Sequence, residues 1–185
     1  NLEEIKKLNP KETCGLKVFM GTSTGTVLVE DDFALEQIFQ FCPVTIVTHC
    51  EDNETIKNNS DKVNSQIQTL DASFHPIIRD DLCCYKSSSK VIDLAKKYSS
   101  DLHVLHLTTE KEIKLFENID LKNKKITCEV CVHHLWFDES DYEKLGNFIV
   151  CNPAIKKVSD KNALRKALKD GYIDYVATDH APHSY

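Results

Sequence analysis

Apolar residues fall along this chain in two alternating rhythms. Short β-rich runs at residues 16–20, 44–48, 102–107, 126–132 and 173–178 predict strands. Between them the apolar spacing changes to three or four. Phe33, Ala34, Ile38 and Phe41 mark a helix over 31–41 behind an acidic start, and Val91, Leu94 and Ala95 mark another over 87–98. Helices are also predicted over 110–117 and 160–168. The polar stretch 53–71 reads as either a helix of poor propensity or a long surface excursion. Strands alternating with helices predict an α/β fold with a parallel sheet and right-handed crossovers, so that all strand carboxyl ends lie on one face.

That face is where chemistry is expected, and four strands deliver a metal-binding side chain toward it. The first run carries Lys17 among apolar neighbours, which is costly for an ammonium unless it is paired or chemically altered. The second ends at His49, the third contains His106, and the last stops at Asp179. Convergence from four strands is more specific than any one of these residues.

Composition narrows the partners. With 185 residues, 41% hydrophobic and 28% charged, the chain reads as one globular domain spanning 1–185. A net charge of −6, with basic residues dispersed among acids, argues against nucleic acid and against an anionic membrane surface, and leaves a small metabolite as the expected partner. No membrane span is predicted. Eight cysteines without a signal peptide suggest reduced thiols in a cytoplasmic protein. The chain opens on Asn1 and is expected to be part of something longer.

Each residue also has a plainer reading. A strand-end lysine usually snorkels to solvent, and a lone strand-end histidine is usually a hydrogen-bonded core residue. Cys128 and Cys131 with His133 and His134 mimic a zinc knuckle, but they lack a second pair at finger spacing and a strand would send two of them to opposite faces, which favours packing. His75 and His103 read as structural or surface residues. The loop at residues 21–25 lacks the Gly-Lys-Ser/Thr ending of a phosphate cradle and fits an active-site loop better. Glu129 lies near the same face as the site.

Six motifs then point to a family: Gly15-Leu16-Lys17-Val18-Phe19-Met20, Thr48-His49-Cys50-Glu51, Leu105-His106-Leu107, Cys128-Glu129-Val130-Cys131-Val132-His133-His134-Leu135, Cys151-Asn152-Pro153-Ala154 and Thr178-Asp179-His180-Ala181-Pro182-His183. In this order they resemble dihydroorotase, of the amidohydrolase superfamily, along nearly the whole chain. The Asp-His-Ala-Pro-His ending favours dihydroorotase over related cyclic amidases. The resemblance implies a (β/α)8 TIM barrel with two zinc ions bridged by N-carboxylated Lys17. One zinc would be bound by His49 and His106, and the other by Asp179, which would also shuttle the proton. Asn152 and His183 match substrate-contacting positions, and the implied substrates are dihydroorotate and N-carbamoyl-aspartate. A homo-oligomer is compatible with the family.

The family's His-x-His pair and nearby arginine, which belong to its first strand, have no counterpart here. The chain is therefore expected to hold about strands four to eight of a partial barrel, and to be inactive alone. Two other readings stand beside this one. The first is a different cyclic amidase, a dihydropyrimidinase (hydantoinase) or an allantoinase. The second is a noncatalytic relative kept as a structural partner of another pyrimidine enzyme, against which the retention of Lys17, His49, His106 and Asp179 argues.

Overall fold

The structure, a computed structural model, describes residues 2–20, 29 and 31–181. Five strands, β1 (Leu16–Phe19), β2 (Ile46–His49), β3 (Leu102–Val104), β4 (Ile126–Cys131) and β5 (Tyr175–Ala177), pair in parallel in chain order. An unbroken β1 to β5 order, without the reversal of a doubly wound sheet, is that of a barrel wall. The chain forms part of a (β/α)8 barrel.

Alternation along the strands sorts their side chains into two sets. Val18, Ile46, Leu102, Val104, Cys128 and Val130 pack with helix residues Leu35, Phe39, Val91, Ile92 and Ala95 into the main core. Lys17, Phe19, Val47, His49, His103, Glu129 and Cys131 alternate with them and take the other face. Gly15 admits the chain to β1, because a Cβ there would stand 2.9 Å from the Thr45 carbonyl oxygen.

The helices form where acidic caps start them. Asp31 accepts from the Phe33 and Ala34 amides at the head of the Asp32–Phe41 helix, whose buried stripe is Leu35, Ile38 and Phe39. The helix lies where the periodicity predicts, but Phe33 belongs to its exposed first turn and is 68% exposed. Asp52 caps the Asn53–Asn64 helix, so a helix occupies most of the 53–71 stretch. The Asp81–Tyr98 helix starts six residues before the expected 87, because Asp80 accepts from the Cys83 amide at 2.9 Å. Its early turns bury small residues, Cys83, Cys84, Ser87 and Ser88, that carry little hydrophobic signal. The helix after β3 is a single turn, Glu110–Ile113, and Val158–Lys169 closes the series before β5.

Two of the strand ends that fall short of expectation bear on the site. β3 stops at Val104, ahead of His106, and β4 stops at Cys131, where the chain turns into the short Val132–Trp136 helix. No described helix is long and apolar enough to cross a membrane.

Candidate metal centre and active site

His49 and His106 meet at the carboxyl ends of β2 and β3. His49 Nδ1 lies 3.1 Å from His106 Nε2, with the rings edge to face at 75° and centroids 4.8 Å apart. Both side chains are buried. His106 reaches this position because the backbone leaves the sheet at Val104 and adopts φ 37° at His106 itself, a left-handed conformation that is uncommon for a non-glycine residue.

The outer nitrogen of His49 is fixed from behind. Its Nε2 lies 2.9 Å from Glu51 Oε2, and Arg79 Nη1 donates to the same oxygen at 2.5 Å. Burial pushes the Glu51 carboxyl up, but the His49 hydrogen bond and the nearby Arg79 charge hold it below the usual range, so it is ionised. An ionised partner on Nε2 requires Nε2 to carry the proton, and the Nδ1 lone pair then faces His106. Burial, together with the charges of His49, His134 and Lys17, lowers the His106 pKa well below the ordinary imidazole value, which keeps that ring neutral near pH 7.

This geometry fits a tetrahedral cation. Two nitrogens each ~2.0–2.1 Å from zinc stand roughly 3.3 Å apart, close to the observed 3.1 Å. An imidazole that gives its other N–H to a carboxylate is the usual support for a metal ligand. Without a cation, two lone-pair nitrogens would face each other here unless one carried a proton. His106 Nδ1 has no hydrogen-bond partner in its buried position.

The remaining expected residues are less closely gathered. Lys17 is exposed rather than buried, which corrects the expectation of an enclosed lysine. It belongs to the edge strand β1, paired only with β2 among the described residues, and its Nζ lies 4.7 Å from the Phe19 ring centroid. Lys17 is in register with Val47, one alternation below His49 on the same face, and its charge is felt by His106. Asp179 lies just past β5, exposed, with φ 46°. No hydrogen bond joins it to either histidine among the described residues, and its charge acts on Cys131, His133 and Cys151. Asn152 is exposed before a cis bond to Pro153, and His75 supports this loop, with its Nε2 2.9 Å from the Cys151 carbonyl. His183 lies outside the described residues.

The structure adds residues the sequence did not single out for the site. Glu51 was visible as a carboxylate two residues after His49, but nothing marked it as a support rather than a ligand. Arg79, one of two arginines in the chain, had no local signal. Lys156 is buried, donating to Thr108 Oγ1 at 3.1 Å and to the Ala154 carbonyl at 3.2 Å. Burial lowers its pKa, but nearby Cys84, Cys83, Glu51 and Glu112 raise it more. Glu129 is engaged with His103, Oε2 to Nε2 at 3.1 Å, and His103 also meets Thr127 Oγ1 at 2.9 Å, so this histidine is a paired structural residue.

The fold and this rim define the class first. A dihydropyrimidinase from Brevibacillus agri superposes on all of this chain and 41% of its own, with a TM-score of 0.84 at 22% identity. The fold is that of the amidohydrolase barrels. Among curated proteins, the dihydroorotase of Macrococcus caseolyticus is 30% identical over 165 residues, 89% of this chain and 37% of the relative, and that of Methanosarcina mazei is 29% identical over 99% of this chain and 41% of the relative. The chain is thus a relative of the dihydroorotases, as the motifs indicated, and spans about two fifths of the length of these relatives. No family model matches it.

Proposed function

We propose that the full-length protein is a zinc-dependent cyclic amidase that interconverts dihydroorotate and N-carbamoyl-L-aspartate, and that residues 1–185 supply part of its barrel, about strands four to eight. The observation that carries this reading is the His49–His106 pair, two imidazoles at zinc spacing with Glu51 and Arg79 locked behind one of them. The dihydroorotase names of the sequence relatives and the Asp179–His183 motif supply the substrate.

In this reading His49 and His106 hold one cation and Asp179 the other. Lys17 would contribute an amine that, on taking up carbon dioxide and losing a proton, would supply a further anionic ligand for the cations. When bound, the cations lower the pKa of a nearby water toward about 7 and polarise the scissile carbonyl. Asp179 would accept a proton from the attacking water and pass it to the ring nitrogen as the amide bond breaks. Its place just past a strand end, on the rim, suits a group that must meet solvent and substrate in one cycle. Asn152, presented ahead of the cis bond and steadied by His75, orients the ring, and His183 helps hold the substrate.

A hydantoinase-type amidase is the competing reading, since the fold likeness to a dihydropyrimidinase is high. A spectrophotometric assay of the purified full-length protein separates the two. Turnover of dihydroorotate in preference to hydantoin and allantoin is expected, and failure with dihydroorotate alongside good turnover of either of the others contradicts the assignment. The noncatalytic reading predicts turnover of none of them.

A further inference from the structure

Of Cys128, Cys131, His133 and His134, the two cysteines do take opposite faces of β4, as expected, but the histidines lie beyond the strand. β4 ends at Cys131, and the short Val132–Trp136 helix folds both histidines back toward it, so that one ligand atom from each of the three lies within 4.8 Å of the others. Cys131 and His134 are buried and His133 is half-buried. We propose that Cys131, His133 and His134 form a binding site for one thiophilic divalent cation of the zinc type, separate from the His49–His106 centre.

His134 carries the argument. Its Nε2 lies 3.0 Å from the Pro153 carbonyl oxygen, which can only accept, so Nε2 holds the proton and Nδ1 is a bare lone pair. That Nδ1 is buried without a partner. A buried acceptor left unmet is costly, and an imidazole whose other N–H is spent on a backbone carbonyl is prepared as a metal ligand is. The rings of His133 and His134 lie 4.2 Å apart, centroid to centroid, and burial lowers the pKa of both, leaving them in the neutral form that binds metal.

The thiol completes a nitrogen and sulfur donor set. Cys131 is in no disulfide. Burial, with the charges of Glu129, Asp179 and Cys151 behind it, pushes its pKa up to about 12, so it binds only by exchanging its proton for the cation, and one proton leaves for each ion bound. The same acidic neighbours that oppose a thiolate favour a dication. Two imidazoles and a thiolate select zinc or cobalt over magnesium or calcium. Ligands of a tetrahedral zinc stand ~3.3–3.7 Å apart, so the cluster contracts by about an ångström on binding, mainly through half-exposed His133. This site does not depend on the cyclic-amidase reading.

Cobalt tests it, because only a thiolate ligand gives a sulfur-to-cobalt charge-transfer band and the His49–His106 centre contains none. Metal-free full-length protein titrated with cobalt is expected to develop this band, saturating at one equivalent at this site. Cys131→Ser abolishes the band, whereas His49→Ala and Cys151→Ser retain it. If Cys131→Ser fails to fold by circular dichroism, His133→Gln, altered at a half-exposed position, is expected to weaken the cobalt affinity behind the band at least about tenfold. A folded wild-type protein without the band, a band that survives Cys131→Ser, or a His133→Gln variant with unchanged affinity overturns the proposal.

Discussion

His49 ends β2 and His106 lies two residues past β3, both inner strands of the sheet, whereas Lys17 and Asp179 belong with β1 and β5 at its two edges. The inner pair is buried, at bonding distance, and backed by a carboxylate and a guanidinium. The edge pair is exposed and has no hydrogen bond to the histidines among the described residues. A strand with neighbours on both sides has its end fixed by two ladders and the helices behind them, while an edge strand has one ladder and one open side. On the proposed reading, this stretch of chain already gathers the two histidines of one cation position at the rim. On the same reading, Lys17 and Asp179 are not yet gathered to it.

If that contrast is right, variants at the edges should change rate and variants in the interior should change binding and stability. The largest effect is expected at Asp179. Asp179→Asn in the full-length protein should lower kcat by about 10²–10⁴-fold, the usual worth of a general acid–base group, while circular dichroism and the thermal midpoint stay near wild type. A near-normal kcat with both metals bound removes Asp179 from the proton transfer.

Arg79 tests the interior next. Arg79→Ala leaves the Glu51 carboxylate buried with only its histidine, and breaking a buried charge pair from one side costs about 3–5 kcal/mol. Urea unfolding reads this directly. A loss below about 1 kcal/mol means that Arg79 is a surface partner only. Glu51→Gln is gentler, since it preserves shape and removes the charge that orients His49. Metal affinity is expected to fall about 10–100-fold, the range for supporting partners of a ligating histidine. Competition against a chelator measures it, and unchanged affinity would show that His49 needs no orienting anion.

The smallest expected effect is on pH. The folded-state pKa values of His106 and His134 are depressed, so between those values and the unfolded value of about 6.5 the unfolded chain binds more protons than the folded one. Stability of the metal-free protein then rises with pH through this window and falls on acidification from about pH 7 to about pH 5. The urea midpoint follows it. A midpoint that is flat or rises toward acid contradicts neutral burial of these rings.

The sequence made the sheet legible because its strands are short apolar runs separated by helical spacing. It made the histidines legible because each stands at or beyond such a run. Lys17 was misread as enclosed because an apolar strand was taken to mean burial on both faces, but at the sheet's edge the face carrying Lys17 is open. Cys131, His133 and His134 were legible as a group with metal-ligand chemistry, but period-two logic does not reach past Cys131, where the strand ends and the chain turns helical. Arg79 and Lys156 could not be seen because their value comes from partners 28 and 48 residues away, Glu51 and Thr108. Small buried residues, Cys83 and Cys84, hid the start of the Asp81–Tyr98 helix.

Anomalous diffraction from crystals of the zinc-loaded, active full-length protein tests most directly the claim that edge and interior residues share one centre. Besides the peak expected at Cys131, His133 and His134, the account predicts two zinc peaks at this rim, one bound by His49 Nδ1 and His106 Nε2 and the other by Asp179, with carboxylated Lys17 density between them. An unmodified lysine in an active crystal, or no zinc between His49 and His106, would contradict it.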